Sequence, residues 1–520
     1  MNALPAAQLA GAGIDELSHS ARLKSRAVLR YFAQVPTDLL FFFSDIAIQA
    51  EAMGAPLSFG PASMPSVAAP ADLVRLPRAA DMPRMRVNAR VLRDLGAEFP
   101  GLPRAAMVYG PFTVAGQVAG EQSLLRGVVE RPDQVRELLE KSLAMAMDYA
   151  RLLLEAGAEV LWVSDPLAVL LAPESFWDFA GEPLARLFAV KGDRDTALHI
   201  CGDTAQIVAG MVKTGVGGIS FDQCLDLLAL EDQVPPEVAV MGNLDPVEVL
   251  EQAAPEEVAQ TAEELVMGLG AAPNFALCPG CAPPTSAPVA NMRAFLESGR
   301  RALDLLSPHA AGLAELSAGV LAGDGGGLED QVRRLRADGL GAMEVMRAGL
   351  MRAIKKSSAL YETKRRHLPT VLLTVDAFYR GYQALEPELA ESGESGPAVA
   401  LGTVHGDFHE IGKNLVAIML KAHGIPVLDL GVNVPPQSFV AACREHGCQV
   451  VGLSAFITSA RKQLGEVMRA LAMAGLKNVD MVAGGAAVNQ HLASQAGAKG
   501  YAKDAVAAVR LLQNVMKERA

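Results

Sequence analysis

Aromatic side chains make up only 5% of this 520-residue chain, and its 46 basic residues fall short of its 58 acidic ones. The resulting formal charge of −12 argues against a nucleic-acid binder, because holding phosphates takes a basic face. No run of 18 apolar residues and no charged-then-apolar leader occur, so a cytoplasmic protein with no membrane span is expected. The stretch FFFSDIAIQA from position 41 is too short and too polar to cross a bilayer. Cysteine is sparse: Cys201, Cys224, Cys278, Cys281, Cys443 and Cys448 are too few for a disulfide framework in so long a chain. They are left as thiols, metal ligands or core filler. Repeats of solenoid period and low-complexity tracts are also missing, which excludes stacked-repeat architectures.

What remains is rich in Gly and Ala, with 20% charged residues, a composition that suits helix-rich α/β folds. The length exceeds what one hydrophobic core serves, so two or three domains are expected. From about residue 35 the apolar runs AAMVYGPF, AEVLWVSD, TALHICGD, GGISFDQ, VAVMGNLDP and NFALCPGC alternate with amphipathic helical stretches. That rhythm predicts a TIM-type (β/α)8 barrel, whose chemistry sits on the loops after the strands. Asp165, His199, Cys201, Asp222, Asn243, Asp245 and Cys281 all fall at such strand ends.

The barrel is expected over 35–308, after a helical extension at 1–34. Residues 309–396 keep helical spacing with no strand-like run and predict a small bundle, bounded by GDGGG (323–327) and ESGESGP (391–397). From 397 to 520, AVALGTV, IPVLDLG, VVGLSAF, DMVAGG and GYAKD alternate with helices. Five such strands predict a doubly wound, Rossmann-like parallel sheet with its ligand at the carboxyl ends of the strands.

Two groups of residues carry chemistry. In the barrel, His199 and Cys201 at one strand end, with a cysteine from CPGC at a later one, supply three soft or borderline donors. Zinc takes such a set and keeps one position open for substrate, the mark of a catalytic site. The competing reading is separate buried thiols, and spacing alone does not choose between Cys278 and Cys281. In the last region GDFHEIGKN (406–414) follows a strand and opens a helix. A lone histidine there is ordinarily a cap or a buried hydrogen-bonder. Here, however, the hydroxyls of Ser454 and Thr458 and the pair Gly484-Gly485 fall at the same sheet edge, outlining a slot that would admit a large flat group.

The pattern Asp407-x-His409-x-x-Gly412, followed by the Ser454 loop, the Gly484-Gly485 loop and the closing GAKGYAKDAVAAV, resembles the corrinoid-binding domain of methionine synthase and of corrinoid methyl carriers. That resemblance covers 398–520. It implies bound cobalamin, with His409 on cobalt, Asp407 on the other imidazole nitrogen, Gly412 giving the nucleotide tail room, and Ser454 and Thr458 bonding that tail. Where the family usually has Leu after the Ser loop, this chain has Phe456. The segment ahead, with HLPTVLLTVDAFYRGYQAL, resembles the cap bundle of such domains. Most of Leu368, Val371, Leu372 and Phe378 are then core, and one or two lie over the corrin.

The pieces HICGDT, GNLDP and CPGCAPPTSAPVANMRAF resemble the zinc-dependent methyltransferase branch of the uroporphyrinogen decarboxylase superfamily. The resemblance implies His199, Cys201 and Cys281 as zinc ligands and leaves Cys278 and Cys224 to packing. GPFT (110–113) and Asp165 match barrel loops of that family. The resemblance covers about 35–305 and departs at the front, where the family's first helix and first barrel strand are not recognisable.

A barrel fused to its own corrinoid carrier resembles the chloromethane methyltransferase type. It implies transfer from a small methyl donor, such as a methyl halide or methoxy compound, to Co(I) of the chain's own corrinoid. Onward transfer to tetrahydrofolate or a thiol through an acceptor methyltransferase, and a reductive activator of the corrinoid, belong to the same expectation, as does a homodimer. The reverse direction, a methylcorrinoid:thiol methyltransferase with a zinc-activated thiolate, is the alternative. A corrinoid-binding storage or sensor protein would leave the three donors idle, and a porphyrinogen decarboxylase or an adenosylcobalamin mutase would not need them.

Overall fold

The computed structural model describes residues 3–41, 44–59, 64–71, 74–284, 286–390, 399–422, 425–502 and 505–518. The chain divides into two compact units, residues 1–310 and 311–520.

In the first unit, seven strands pair in chain order: β1 (Leu40–Phe41), β2 (Arg104–Tyr109), β3 (Val160–Ser164), β4 (Asp195–His199), β5 (Gly218–Ser220), β6 (Ala239–Leu244) and β7 (Phe275–Pro279). Every ladder of this sheet is parallel, as crossover helices require, while a separate pair, Leu57–Ser58 with Ser66–Val67, is antiparallel. β4 and β5 are buried almost throughout, the condition of a parallel strand covered on both sides. Six strands lie on the six apolar runs of the sequence. The seventh, β1, lies in the Phe-rich stretch that composition marks only as non-membrane. The sheet curls as the expected barrel sheet does, and among the described residues seven strands make it up. Among the described residues β1 has two, both paired with β2.

The helices follow from local signals. Helix α1 (Ala21–Phe32) starts where the Ser20 hydroxyl accepts from the Leu23 amide, an ordinary N-cap. Both α2 (Pro83–Glu98) and α3 (Pro132–Glu155) open with proline in the first turn, where its missing N–H costs nothing. On α3, Val135, Leu139, Leu143, Ala146, Tyr149, Ala150 and Leu153 form the buried stripe, at the three- and four-residue spacing of a one-sided helix.

Where these helices meet, the interior is polar. Lys24 of α1 donates to Asn88 of α2 (2.7 Å), and the Asn88 amide donates to the Tyr149 hydroxyl of α3 (2.7 Å). Arg84 bonds Asp45, after β1, and Glu51 (2.8 Å). Lys24, Asp45, Arg84, Asn88 and Tyr149 are all buried. Burial lowers the Lys24 ammonium to about 7 against the attraction of Asp45, since the charged form loses most on leaving water.

In the second unit, the helices Ala310–Ala322, Leu328–Ala337, Arg352–Glu362 and α4 (Leu368–Gln383) form a bundle, with a π-helical stretch at Val345–Met351. Residues 391–397, the boundary expected from ESGESGP, lie outside the described residues. The sheet that follows has strands β8 (Val399–Thr403), β9 (Val427–Asp429), β10 (Val450–Ser454), β11 (Asp480–Gly484) and β12 (Gly500–Ala502), in the order β9-β8-β10-β11-β12 and all parallel. All five expected strands are present. This order reverses direction between β8 and β10, and the carboxyl edge at such a switch point is where doubly wound sheets bind ligands. Of the four cap residues named from sequence, Val371 and Phe378 are core, Leu372 is half-buried and Leu368 is exposed. Helix α4 also touches α5 (Ile411–Ala422), which the histidine loop opens.

Candidate functional sites

In the first unit, β4 ends at His199 and the chain turns at once to Cys201, while the loop after β7 carries Cys281. Their donor atoms all lie within 4.8 Å of one another. The His199 Nε2 is 3.1 Å from the Cys201 Sγ, and the two sulfurs are 3.5 Å apart. On the far side of the ring, Nδ1 meets the Ser220 carbonyl at 3.1 Å and its hydroxyl at 3.2 Å. A proton on Nδ1 satisfies that carbonyl and leaves the Nε2 lone pair facing the sulfurs. The two sulfurs are coupled: the hydrogen bond from Cys201 brings the Cys281 thiol well below the ordinary thiol range, while the same bond and then burial push the Cys201 thiol up.

Asp222 braces the pocket. Its carboxylate accepts from the Gly202 amide (2.9 Å), beside Cys201, and from the Cys224 amide (3.1 Å). Gly280 matters for the other approach, because a Cβ there would lie 2.5 Å from the Gln223 amide nitrogen, so only glycine lets the Cys281 loop come this near. Cys278 points elsewhere, its thiol donating to the Pro279 carbonyl (3.3 Å) and pushed up to about 12 by burial. Exposed Cys224 also stays out of the donor set.

Asp165 sits one strand away, its amide donating to the His199 carbonyl (2.9 Å). Its fully buried carboxylate is not among the clustered donors. One oxygen accepts from the Thr113 amide (2.7 Å) and hydroxyl (2.6 Å), while the other has no hydrogen-bond partner. Burial raises this carboxyl to about 6 against those bonds. Sequence reading singled out neither Ser220 nor Tyr109. Tyr109, whose buried phenol is pushed up by desolvation and then by negative charge on Asp45, Tyr149 and the two sulfurs, ends β2. Both were legible only as strand-end residues.

In the second unit, the register sets Thr403 opposite Ser454 and Ser454 opposite Gly484, so the loops after β8, β10 and β11 leave one edge at the same level. Asp407 is fully buried. One of its oxygens accepts from the His409 Nδ1 (2.8 Å) and amide (3.1 Å), the other from the amides of Phe456 (2.6 Å) and Ile457 (3.1 Å). Burial works to raise this carboxyl, but the four bonds outweigh it and hold it below its ordinary value. With Nδ1 engaged, Nε2 of the half-exposed His409 is the free donor. Gly412 is exposed, with open space around its missing side chain. Ser454 is half-buried and Thr458 exposed. Gly485 has φ +105°, and a Cβ on it would meet the Ala455 carbonyl at 2.3 Å.

Comparison with known proteins then decides the family. The sequence model of uroporphyrinogen decarboxylase (URO-D) matches residues 3–302. This chain belongs to that family. Because the match begins at residue 3, the front helices are part of the family pattern, which corrects the departure expected there. The B12 binding domain matches residues 397–510. A corrinoid protein of Desulfitobacterium hafniense is 31% identical over 209 residues, 39% of this chain and 97% of the relative. Dimethylamine corrinoid protein 1 of Methanosarcina acetivorans is 36% identical over 170 residues, 32% of this chain and 79% of the relative. The methylated-thiol-coenzyme M methyltransferase of Methanosarcina mazei is 25% identical over 231 residues, 43% of this chain and 62% of the relative. Among solved structures, a methyltransferase from Methanosarcina mazei covers 58% of this chain and 91% of its own at 22% identity and a TM-score of 0.54, a likeness of fold. A barrel of this family joined to a B12-binding domain makes the chain a methyltransferase that works with a corrinoid.

Proposed function

We propose that this URO-D family chain takes a methyl group from a small donor, such as a methyl halide or methoxy compound, and places it on the reduced cobalt of its own corrinoid. From there the group passes to tetrahydrofolate or a thiol through a separate acceptor methyltransferase, with a reductive activator keeping the cobalt usable. The observation that carries the reading is the convergence of His199, Cys201 and Cys281. Tetrahedral zinc with ordinary bond lengths would set its sulfurs about 3.8 Å apart and a sulfur and a nitrogen about 3.6 Å apart. The observed 3.5 and 3.1 Å are within about half an ångström of that, so the donor set fits zinc by chemistry and by spacing.

Zinc held there supplies a Lewis acid with one position left open for the donor's leaving atom. The residues supply the rest. Ser220 fixes the His199 ring, Asp222 fixes the turn beside Cys201, and Gly280 lets Cys281 close in. In the second unit His409 offers Nε2 to a corrinoid while Asp407 holds Nδ1. A corrinoid held there supplies a cobalt able to accept and release a methyl group.

The opposite direction, from methylated corrinoid to a thiol, is the second reading, favoured by the likeness to the methylated-thiol-coenzyme M methyltransferase. Titration of the metal-loaded protein with cobalamin, beside His409→Ala and with zinc assayed on the same samples, tests the common part. The expected result is about one zinc per chain and a histidine-ligated spectrum that the variant loses. Absence of either overturns the proposal. Methyl donors offered to the reduced protein, and thiols offered to the methylated one, then decide the direction.

A further inference from the structure

The ring of Phe456 lies face to face on the His409 imidazole, with centroids 4.2 Å apart and planes inclined by 25°. Phe456 is 51% exposed. Its position is not left to the side chain alone, since its own amide donates to Asp407 at 2.6 Å, the carboxylate that also takes the His409 Nδ1 at 2.8 Å. One buried carboxylate therefore fixes the edge of the imidazole and the backbone of the residue that covers its face.

We propose that Phe456 is a positioning residue for His409, restricting rotation of the imidazole so that Nε2 stays presented to a corrinoid. The hydrogen bond to Asp407 holds the ring at Nδ1 alone and leaves it able to pivot about the Cβ–Cγ bond over the range in which that hydrogen bond survives. Stacking resists that pivot, because turning the imidazole breaks contact over its whole face. The Thr403 hydroxyl holds the His409 carbonyl at 2.8 Å, so the backbone is fixed as well and the pivot is the motion left. Since Phe456 lies between Ser454 and Thr458, movement of that loop would also reach His409 through the stack.

The inference rests on His409 as the corrinoid-binding residue, and the test separates the two. Phe456→Ala, Phe456→Leu and Phe456→Tyr are compared with wild type and His409→Ala in the full chain. Three readouts serve: cobalamin affinity, the nitrogen hyperfine splitting of the cob(II)alamin EPR signal, and the ring-current shift of the His409 Cε1 proton in histidine-labelled apoprotein. Wild type and Phe456→Tyr are expected to agree. Phe456→Ala should bind cobalamin roughly twofold to tenfold more weakly, with a smaller histidine-coordinated fraction and a His409 proton moved downfield. Phe456→Leu should fall between them. If wild type is histidine-ligated and all three variants match it in affinity, splitting and fraction coordinated, Phe456 does not position His409. If wild type and His409→Ala give the same spectra, the corrinoid reading of His409 fails and the inference with it.

Discussion

At Gly485 the backbone takes φ +105°, and a Cβ would come within 2.3 Å of the Ala455 carbonyl oxygen. Glycine is demanded twice there, by the dihedral and by the neighbouring loop. Gly485→Ala is expected to cost at least about 2 kcal/mol of stability, read by denaturant unfolding, and to weaken cobalamin binding by shifting the loop that carries Ser454 and Phe456. Asp222 makes a different demand. Its carboxylate satisfies two backbone amides beside the sulfur donors, so Asp222→Ala should destabilise by about 1–3 kcal/mol. Zinc affinity should fall by roughly tenfold or more, measured as metal retained after dialysis against a chelator series; an unchanged series would remove Asp222 from the site's support.

At the scale of elements, the packing of α1 on α2 encloses Lys24, whose ammonium burial holds at about 7. An unfolded lysine keeps its proton up to about 10.4. Between pH 7 and 10, therefore, the unfolded chain binds the extra proton, and this residue's contribution to stability rises with pH. The unfolding free energy of wild type relative to Lys24→Met should climb by roughly 1 kcal/mol or more per pH unit across that window. Taking the difference matters, because buried thiols such as Cys278 work the other way at the alkaline end. A flat difference would mean that Lys24 is charged in the folded state throughout. The same packing explains why the front helices read as an extension in the sequence: α1 contributes no strand, and its polar anchor to Asn88 is 64 residues away.

At the scale of the whole molecule, the chain is two compact units, each with its own candidate site. Residues 311–520 expressed alone should bind cobalamin with a histidine-ligated spectrum, and residues 1–310 alone should retain about one zinc per chain. Chelation should strip methyl transfer from the full protein while its cobalamin spectrum persists, and zinc should restore activity. Loss of the cobalamin spectrum on chelation would show that the two sites are not independent. No helix among the described residues is long and apolar enough to cross a membrane.

Much of this was written in linear order. Six of the barrel strands and all five strands of the second sheet are apolar runs closed by polar or glycine turns, because a buried parallel strand must be apolar and its exit must not be. The segment Asp407 to Gly412 and the spacing of His199 and Cys201 are local, so their chemistry could be read residue by residue. The strand in Leu40–Phe41 could not: two residues carry no periodicity, and it is a strand only because β2 lies beside it. Cys281 meets Cys201 across 80 residues of chain, while Cys278 turns to Pro279, a choice made by the closeness of two loops at Gly280. Ser220 behind His199 and Phe456 over His409 were likewise settled by folding, since which face of a ring is covered, and by what, depends on contacts between strands and loops distant in the chain.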